Sequence, residues 1–474
     1  LEVCSDNIDN DCDGTIDTDC LSPCELAELT RSNVGCDYYP TVTANSLLTG
    51  PAAPGATGFH FAVAISNTSN QAAGYTITRG ALSIASGSVA ANSVAIVQLP
   101  WVNELRASGA SIKSLASANN GAYHLVSDRP VTVYQYNPLE YAAGGSFSYT
   151  NDASLLFPTN AWTGDYRVAA RNTWSGYSGF YAVVASEDAT TVTLTPSPTG
   201  GSVMAGGGVA ANGTGTIQMN RGDVLQVFSS TSGTPDLTGT HVTANKPIAV
   251  IGGHNCTNVP ASIPYCDHIE ESIPPVETLS RSYVVVSPWI SNNTQKAELV
   301  RVIATANNTT WTYDPPQAGW PTSLATAGSY VELPQSAASV AITANAKILV
   351  AAYLLGQDAG GGSGDPAMTV AVATEQYRDQ YLFHAPTNYN TNFVDIIAPT
   401  GAPVSLDGNA LPLGSFTAIG GTGLSAGHFP LSNAGNGNHN VTSAERVGIN
   451  VYGYGQYTSF WYPGGLDLAA IPNN

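Results

Sequence analysis

The sequence is poor in charge, and in positive charge above all. Charged residues make up 10% of the 474-residue chain, against roughly a quarter in ordinary soluble domains. Only 15 residues are Lys or Arg, against 34 Asp or Glu, which gives a net charge of −19 at pH 7. Such a surface repels phosphate backbones and anionic lipids, so we expect no nucleic-acid partner and no attachment to an anionic membrane surface.

Long apolar runs, a leader pattern and enzyme signatures are also missing. The longest apolar runs, such as 348–355, are much too short to span a bilayer, so we expect no membrane insertion. The chain opens at Leu1 without a signal-peptide pattern, which predicts a mature product or an excised part of a longer one. H-E-x-x-H and P-loop motifs are absent, so the sequence predicts a protein that is not an enzyme. A hydrolase of extracellular polymers, with a scattered pair of carboxylates, is the remaining catalytic alternative.

What the chain does contain is a β pattern. Short runs of Val, Ile, Thr and Tyr alternate with turns rich in Gly, Pro and Asn, as is typical of an all-β protein. Only the segment from Cys24 to Cys36 has helical spacing, with Leu26 and Leu29 three residues apart. We therefore expect an all-β fold with one short helix.

An internal repeat divides this β region. A short polar turn followed by an apolar strand occurs at 127–136, 243–253, 343–353 and 442–455, and strands led by Tyr166, Tyr283 and Tyr381 recur at similar steps. The spacing predicts about four tandem β-sandwich-like units of roughly 100 residues, with a β-propeller as the alternative. The expected divisions are an Asp-rich metal-binding loop at 1–23 and β units at 24–150, 151–265, 266–368 and 369–474.

The cysteines indicate an oxidising compartment. Seven are present, and neighbours in the sequence suggest the disulfides Cys24–Cys36 and Cys256–Cys266. The other three, Cys4, Cys12 and Cys20, allow one further bridge and leave one thiol, and their pairing stays open.

The N-terminal segment resembles a calcium-binding loop. Residues 9–17, DNDCDGTID, place carboxylates at the first, third, fifth and ninth positions, with a glycine at the sixth for the turn. The twelfth position is Cys20, so the bidentate Glu of an EF-hand is absent and Asp6 or Asp19 would have to compensate. A solvated acidic terminus is the alternative. The predicted Ca²⁺ ligands are Asp6, Asp9, Asp11, Asp13, Asp17 and the backbone carbonyl of Thr15.

Two family resemblances accompany these patterns. Residues 2–20 resemble the MopE-like metal-binding motif, although an all-oxygen donor set favours calcium. From Cys24 to about Leu468 the chain resembles bacterial secreted proteins with the IgGFc-binding N-terminal domain. This second resemblance implies an extracellular adhesive or structural role without catalysis, and it does not imply that immunoglobulin is the ligand. It rests on the segments 32–39, 127–138, 152–159, 246–260, 266–279, 364–368 and 452–465.

Two clusters have competing interpretations. The group His254, Cys256, Cys266, Asp267, His268, Glu270 and Glu271 has the residue types of a zinc or catalytic site, or of a second cation site at Asp267 and Glu270. A disulfide-closed loop with hydrogen-bonded histidines and a solvated acidic pair is favoured. The second cluster could stack on sugars, but packing between sheets is favoured there. Its members are Tyr452, Tyr454, Tyr457, Phe460, Trp461 and Tyr462.

The sequence thus predicts a secreted structural or adhesive protein, placed outside the cell or on its surface. One hypothesis is a self-assembling fibre or surface-layer subunit, stabilised by calcium and disulfides, whose partners are further copies or other extracellular surface proteins and glycans. The alternative is a lectin-like module that binds glycans or glycoproteins.

Overall fold

The computed structural model describes residues 21–45, 47–48, 57–106, 114–118, 120–290, 294–359 and 362–472. Nearly all regular structure in these ranges is β, which confirms the all-β prediction. The N-terminal calcium-loop residues and Cys4, Cys12 and Cys20 lie outside the described residues.

The predicted helix forms, but it is short. It begins at Pro23, directly after Ser22. The Ser22 hydroxyl accepts from the Glu25 N–H and the Glu25 carboxylate accepts from the Ser22 N–H, a reciprocal capping arrangement. It ends at Leu29, and the chain then enters the first strand, where Cys36 forms the predicted disulfide with Cys24. A second helix, α2 (Asn103–Arg106), was not expected from the sequence.

Four β units of shared topology follow one another along the chain. The first unit contains α1 (Pro23–Leu29), β1 (Gly35–Tyr38), β2 (Phe61–Asn67), β3 (Ala73–Arg79), β4 (Leu82–Val89), β5 (Ser93–Leu99), α2 (Asn103–Arg106), β7 (His124–Tyr136), β8 (Ala142–Ala143), β9 (Ser146–Phe147) and β10 (Ala153–Leu156). A further strand, β6 (Leu115–Ala118), lies between α2 and β7 in the chain but extends the sheet of the second unit. The second contains β11 (Thr163–Arg167), β12 (Gly179–Ala185), β13 (Thr190–Thr195), β14 (Gly215–Met219), β15 (Val224–Phe228), β16 (His241–Thr257) and β17 (Asp267–Ser272).

The other two units repeat the pattern. The third contains β18 (Ser280–Val285), β19 (Trp289–Ile290), β20 (Thr294–Gln295), β21 (Glu298–Ala304), β22 (Thr309–Asp314), β23 (Ser323–Leu324), β24 (Tyr330–Glu332), β25 (Val340–Leu354) and β26 (Met368–Val370). The fourth contains β27 (Arg378–His384), β28 (Thr391–Pro399), β29 (Val404–Leu406), β30 (Asn409–Ala410), β31 (Phe416–Ala418), β32 (Leu424–Leu431), β33 (Asn438–Gly455) and β34 (Thr458–Pro463).

In every unit one long strand organises the others. These long strands are β7, β16, β25 and β33. When the strands of each unit are counted without the separate β19–β20 hairpin, the first halves of the long strands pair with the first and third strands of the unit. Their second halves pair with the second strand and with a final strand, which we call the inner strand: β10, β17, β26 or β34. Each unit is therefore a curled, sandwich-like sheet, as predicted.

The polar turns of the sequence repeat lie inside the long strands. Two successive residue pairs between the long strand and the first strand lie five residues apart on the long strand but only two residues apart on the first strand. In the second unit these pairs are Thr163↔Ile248 and Asp165↔Thr243. The extra residues form a kink, and a kink side chain bonds the third strand. Asn245 Oδ1 accepts from the Thr191 N–H at 2.7 Å and Asn345 Oδ1 from the Thr310 N–H at 2.9 Å. The expected turn is thus a bulge that carries one strand from one layer to the other.

The repeated tyrosines complete this kink. Tyr166, Tyr283 and Tyr381 donate their hydroxyls to the carbonyl that follows it, at 2.5, 2.9 and 2.5 Å. Tyr38 does the same in the first unit, at 2.5 Å from the Val131 oxygen. Burial raises the pKa of all four tyrosines. The bulge frees a buried carbonyl from the ladder, and the hydroxyl satisfies it.

The four units close into a ring around one axis. Neighbouring inner strands contact one another in the cyclic order β10, β17, β26, β34 and back to β10, so the last unit meets the first. The apolar cores run across the junctions: one core joins the first and fourth units, and another joins the third and fourth. The units thus surround an axis as propeller blades do, although each is larger than a four-stranded blade.

Candidate functional site

A single buried carboxyl group sits where the four inner strands meet. Both oxygens of Asp152 accept backbone N–H bonds, from Ala153 at 2.9 Å and Trp461 at 3.1 Å on one, and from Glu270 and Met368 at 3.0 Å each on the other. These donors belong to β10, β34, β17 and β26, one from each unit. Asp152 therefore joins all four units at one point, which we call the hub.

The hub has no solvent access. Asp152 is 0% exposed, and burial raises the pKa of its carboxyl well above the usual range, although the N–H donors favour the ionised form. A carboxylate suits this position because it has enough lone pairs for four donors, whereas an amide would turn one oxygen into a donor. The arrangement is structural: it holds the strands and leaves nothing free for chemistry.

Two further buried acids lie beside the hub, at the start of β17 and just before β26. Asp267 accepts from the Thr458 hydroxyl at 2.9 Å, and Asp365 accepts from the Gln357 N–H at 3.1 Å. Each keeps one buried oxygen without a partner in the described residues. Burial, with the neighbouring Asp365, raises the pKa of Asp267 well above its usual range, and burial raises the pKa of Asp365 to about 8.

A buried lysine completes this layer. Lys296 is 1% exposed, its ammonium donates to the Ser363 carbonyl at 2.5 Å, and it lies 5.3 Å from the centre of the Tyr454 ring. Burial lowers the pKa of Lys296 to about 8. The layer thus mixes acids and a base whose charged forms are all disfavoured by burial.

The acidic pair Glu270 and Glu271 is buried, which corrects the expectation that it is solvated. Glu270 accepts from Gln135 at 2.8 Å and Ser154 at 3.1 Å, and its other oxygen accepts from Thr43. Burial alone would raise its pKa, but these bonds and that with His268 outweigh it and hold the pKa low. Burial raises the pKa of Glu271 well above its usual range. Both glutamates project from β17, whose residues are all buried because it runs between neighbouring inner strands.

The histidines and cysteines of the same segment form no zinc site. Cys256 and Cys266 are joined in the predicted disulfide. His254 accepts the Cys256 N–H at its Nδ1 atom at 3.0 Å, and burial lowers its pKa to about 3. His268 stacks on Phe180 and reaches Glu270 at 3.3 Å. Within the described ranges, no group of three or more His, Cys, Asp or Glu is arranged to hold a metal ion.

The loops between long and inner strands gather above the hub at one end of the axis. The Tyr457 N–H donates to Gln357 at 2.9 Å, the Gly364 N–H to the Gly455 carbonyl at 3.2 Å, and the Gly356 N–H to the Val259 carbonyl at 2.7 Å. Gly364 has a φ of +71°, and a Cβ there would lie 2.3 Å from the Tyr454 ring, so only glycine fits this crossing. The Gln456 N–H donates to the Tyr141 hydroxyl of the first unit at 3.0 Å, so loops of all four units form one surface.

Aromatic side chains cover that surface. Phe147, Tyr149 and Tyr265 are 45%, 43% and 48% exposed. Ring centres are 5.6 Å apart for Phe147 and Tyr149, 6.2 Å for Tyr149 and Tyr457, and 4.4 Å for Tyr265 and Tyr457. We call these four residues the tyrosine face. Tyr141 lies behind it, 5.0 Å from Phe147 and 4% exposed.

The tyrosine face is held in a costly backbone conformation. Tyr149, Tyr265 and Tyr457 have φ values of 51°, 73° and 58°, in the left-handed region that bulky residues rarely adopt. Each departure costs on the order of 1 kcal/mol or more, and such residues concentrate at functional sites. The disulfide beside Tyr265 closes its loop, so the rings stand on a rigid base. An exposed, preorganised aromatic patch of this kind is typical of a binding surface.

The aromatic cluster singled out in the sequence splits in two. Tyr452, Tyr454, Phe460, Trp461 and Tyr462 are 0–1% exposed, so they cannot stack on a sugar, and the favoured packing interpretation is confirmed. Tyr457 alone reaches the surface, because it occupies the turn between β33 and β34.

Sequence reasoning missed the hub and most of the tyrosine face. Asp152 carried no signal beyond its place in one of the quoted family segments. Phe147 and Tyr149 lie in a Gly- and Ser-rich stretch that resembles any loop, and Tyr265 was hidden beside Cys266. The predicted metal ligands, Asp6, Asp9, Asp11, Asp13, Thr15 and Asp17, remain outside the described residues.

Comparison with known proteins found one family that matches most of the chain. A family model described as IgGFc binding protein matches residues 152–453, well over half of the chain. The match begins at the hub aspartate and runs through three of the four inner strands. No curated protein and no solved structure matches the chain. Among the described helices, none is long and apolar enough to cross a membrane.

Proposed function

Because this chain belongs to the IgGFc binding protein family, we propose that it is a secreted, non-enzymatic surface protein of adhesive or structural role, which binds an extracellular glycoprotein through the tyrosine face. The family points to an extracellular binding or surface role. The two disulfides fit the same location, since they persist in oxidising compartments.

The observation that carries the proposal is the tyrosine face itself. Tyrosine is enriched in protein-binding surfaces because it offers large contact area and a hydroxyl at low conformational cost. Here three tyrosines project from loops of different units, above a base closed by the hub. A surface assembled in this way is ordered before it binds, which limits the entropy lost on association.

Two features support a non-catalytic role. The two acids buried beside the hub, Asp267 and Asp365, are 0% and 1% exposed, so a polymer substrate has no access to them. The hub carboxyl is fully engaged by backbone donors. General acid–base catalysis needs a group within hydrogen-bond reach of the substrate.

The binding test uses a panel of purified extracellular glycoproteins, their deglycosylated forms, and the Fc fragment of immunoglobulin G. We expect at least one glycoprotein to bind, and a Tyr149→Ala/Tyr265→Ala variant to bind at least about 30-fold more weakly, as for interface hot spots. Tyr75→Ala, a half-buried tyrosine of β3 far from the axis, is the control. Unchanged binding by the double variant would contradict the proposal. Binding that is lost on deglycosylation would instead identify the lectin-like alternative.

We further propose that Asp9, Asp11, Asp13 and Asp17, with the Thr15 carbonyl and Asp6, bind one calcium ion. The support is the spacing of oxygen donors in the sequence. Calorimetric titration with CaCl₂ should give one site that is lost in Asp13→Ala and kept in Asp128→Ala. Heat release by neither protein, or by both equally, would contradict it.

Self-association is the last part of the proposal: copies of the chain assemble into a fibre or surface layer. It is supported by the low charge density of the chain and by its disulfides. Negative-stain electron microscopy in calcium and in EDTA is the direct test. Ordered filaments or sheets are expected in calcium, and dispersed particles in both conditions would overturn this part.

A further inference from the structure

The outer edges of the four units differ, although the topology is shared. The fourth strand of each unit forms one edge of its sheet: β4, β14, β23 and β30. β4 is eight residues long, β14 five, and β23 and β30 two each. An edge strand presents unpaired N–H and C=O groups, and a short edge offers few of them. Three units thus have short edges of this kind, and the first does not.

The five-residue edge of the second unit is also partly covered. Its preceding loop turns back along β14, with bridges between Val209 and Gly215 and between Gly206 and Val209. The Ala210 N–H donates to the Thr214 carbonyl at 2.9 Å. In the first unit, β3 is the only strand that pairs with β4 within the described residues.

β4 has little of the usual protection against pairing. Its sequence, LSIASGSV, contains no Lys, Pro or acidic residue, and Leu82 is 63% exposed. Ser86, Gly87 and Ser88 are exposed as well. Native proteins normally place charges or proline on such an edge, or cover it. One register shift opposite Ile77 and Thr78 is the only irregularity of its pairing with β3.

The absence of charged residues around β4 favours a second copy of this chain as the partner of this edge. Two copies of a chain with net charge −19 repel each other over most of their surface. From Gly80 to Asn103 no residue is charged, so two copies can approach edge to edge here without opposing carboxylates. Antiparallel pairing of a strand with itself is two-fold symmetric, so one surface supplies both halves of the contact.

We propose that β4 is a docking edge for a second copy of this chain, and that two β4 strands pair antiparallel to extend the outer sheet across a dimer. This inference rests on the proposed self-association and names one contact within it, the contact that joins copies in pairs. Backbone hydrogen bonds supply the contact, as in other cases of strand addition. The tyrosine faces take no part in it.

The test compares the full chain with two double variants of equal charge. Ser86→Lys/Ser88→Lys places charges on β4, where like charges meet across the symmetric joint. Thr193→Lys/Thr195→Lys is the matched control, since both threonines are exposed on β13, which is already paired on both sides by β14 and β16. Sedimentation velocity over a concentration series gives the dissociation constant. Hydrogen exchange of the amides of 82–88 reports the surface.

The unmodified chain should dimerise with rising concentration, and exchange at 82–88 should slow with it. The β4 variant should dimerise at least about tenfold more weakly, and the control as well as the unmodified chain. If the unmodified chain stays monomeric throughout, both the edge and the self-association are wrong. Two other results would support self-association but show that β4 is not the surface of contact. One is equal dimerisation by the unmodified chain and the β4 variant, and the other is exchange of the amides of 82–88 that is as fast in the dimer as in the monomer. Equal weakening of the control would also overturn the assignment to β4.

Discussion

The four units are alike at the centre of the ring and differ at its rim. At the centre, four inner strands from four units meet on one carboxyl, and each contributes one N–H. At the rim, the corresponding edge strands range from two to eight residues. The centre must close, so every unit is constrained there in the same way. The rim faces solvent, so each unit is free to differ.

The loops at the end of the axis share properties of both the centre and the rim. The loops that rise from the centre are anchored to it by hydrogen bonds, yet their tips carry exposed aromatic rings. A binding surface on such loops has a backbone that the centre holds in place and side chains that can vary as those of the rim do. Four predictions test this contrast, from the largest expected effect to the smallest.

Asp152→Ala should have the largest effect on stability. It leaves four buried N–H groups without an acceptor, and each costs about 1–3 kcal/mol, so we expect a loss of at least about 4 kcal/mol in the free energy of unfolding. Asp128→Ala removes an exposed carboxylate that accepts one N–H, from Gly74, and should cost less than about 1 kcal/mol. Denaturant unfolding measures both. Similar losses would show that the hub is not special. Asp152→Asn serves if the alanine variant fails to fold.

Asp365→Asn should change how stability depends on pH. The folded pKa of Asp365 is raised to about 8, so between its unfolded pKa and pH 8 the folded state binds the extra proton. Stability is therefore lost as pH rises through this window, by up to about 1.4 kcal/mol per pH unit. Between pH 6 and 8 the free energy of unfolding of the variant should fall by roughly 2–3 kcal/mol less than that of the unmodified protein. Asp128→Asn, at an exposed carboxylate of the first unit, should follow the unmodified curve, and a parallel Asp365→Asn curve would refute the prediction.

The kink tyrosines should be equivalent in all four units. Replacing Tyr38, Tyr166, Tyr283 or Tyr381 by Phe removes the hydroxyl that satisfies a buried carbonyl, which should cost about 1–2 kcal/mol each. Tyr75→Phe, at a half-buried rim position, should cost less than about 0.5 kcal/mol. Thermal unfolding ranks the five variants. One kink variant that matches Tyr75→Phe would break the fourfold equivalence.

Tyr457→Gly should have the smallest effect on stability and a large one on binding. Glycine relieves the left-handed conformation at this position but loses the contact with the Tyr265 ring, so the free energy of unfolding should change by less than about 1 kcal/mol. Tyr454→Ala, three residues earlier but buried, should cost about 3 kcal/mol or more. Glycoprotein binding should fall in the Tyr457 variant while its unfolding curve is retained. A destabilisation equal to that of Tyr454→Ala would make Tyr457 a core residue instead.

Local patterns gave a correct account of the repeated parts. The tyrosines at 166, 283 and 381 could be found because each meets the same need, a free carbonyl beside a kink. Tyr38, the kink tyrosine of the first unit, escaped notice because 85 residues separate it from the His124 end of its long strand, while the corresponding tyrosines of the later units lie closer to their long strands. The polar kinks were recognised but placed between strands, since a bulge inside a strand and a turn between strands use the same residue types.

The sequence by itself determined the all-β class, the repeat, the short helix and the two local disulfides, because each depends on residues close in the chain or on a pattern of fixed period. Only the tertiary structure decided that four units close into a ring, that Asp152 lies on its axis, and that Glu270 and Glu271 are buried. It also decided which aromatic residues reach solvent. Those outcomes depend on contacts between residues hundreds of positions apart, such as Asp152 and Trp461, and no local pattern encodes which distant donors a carboxyl will meet.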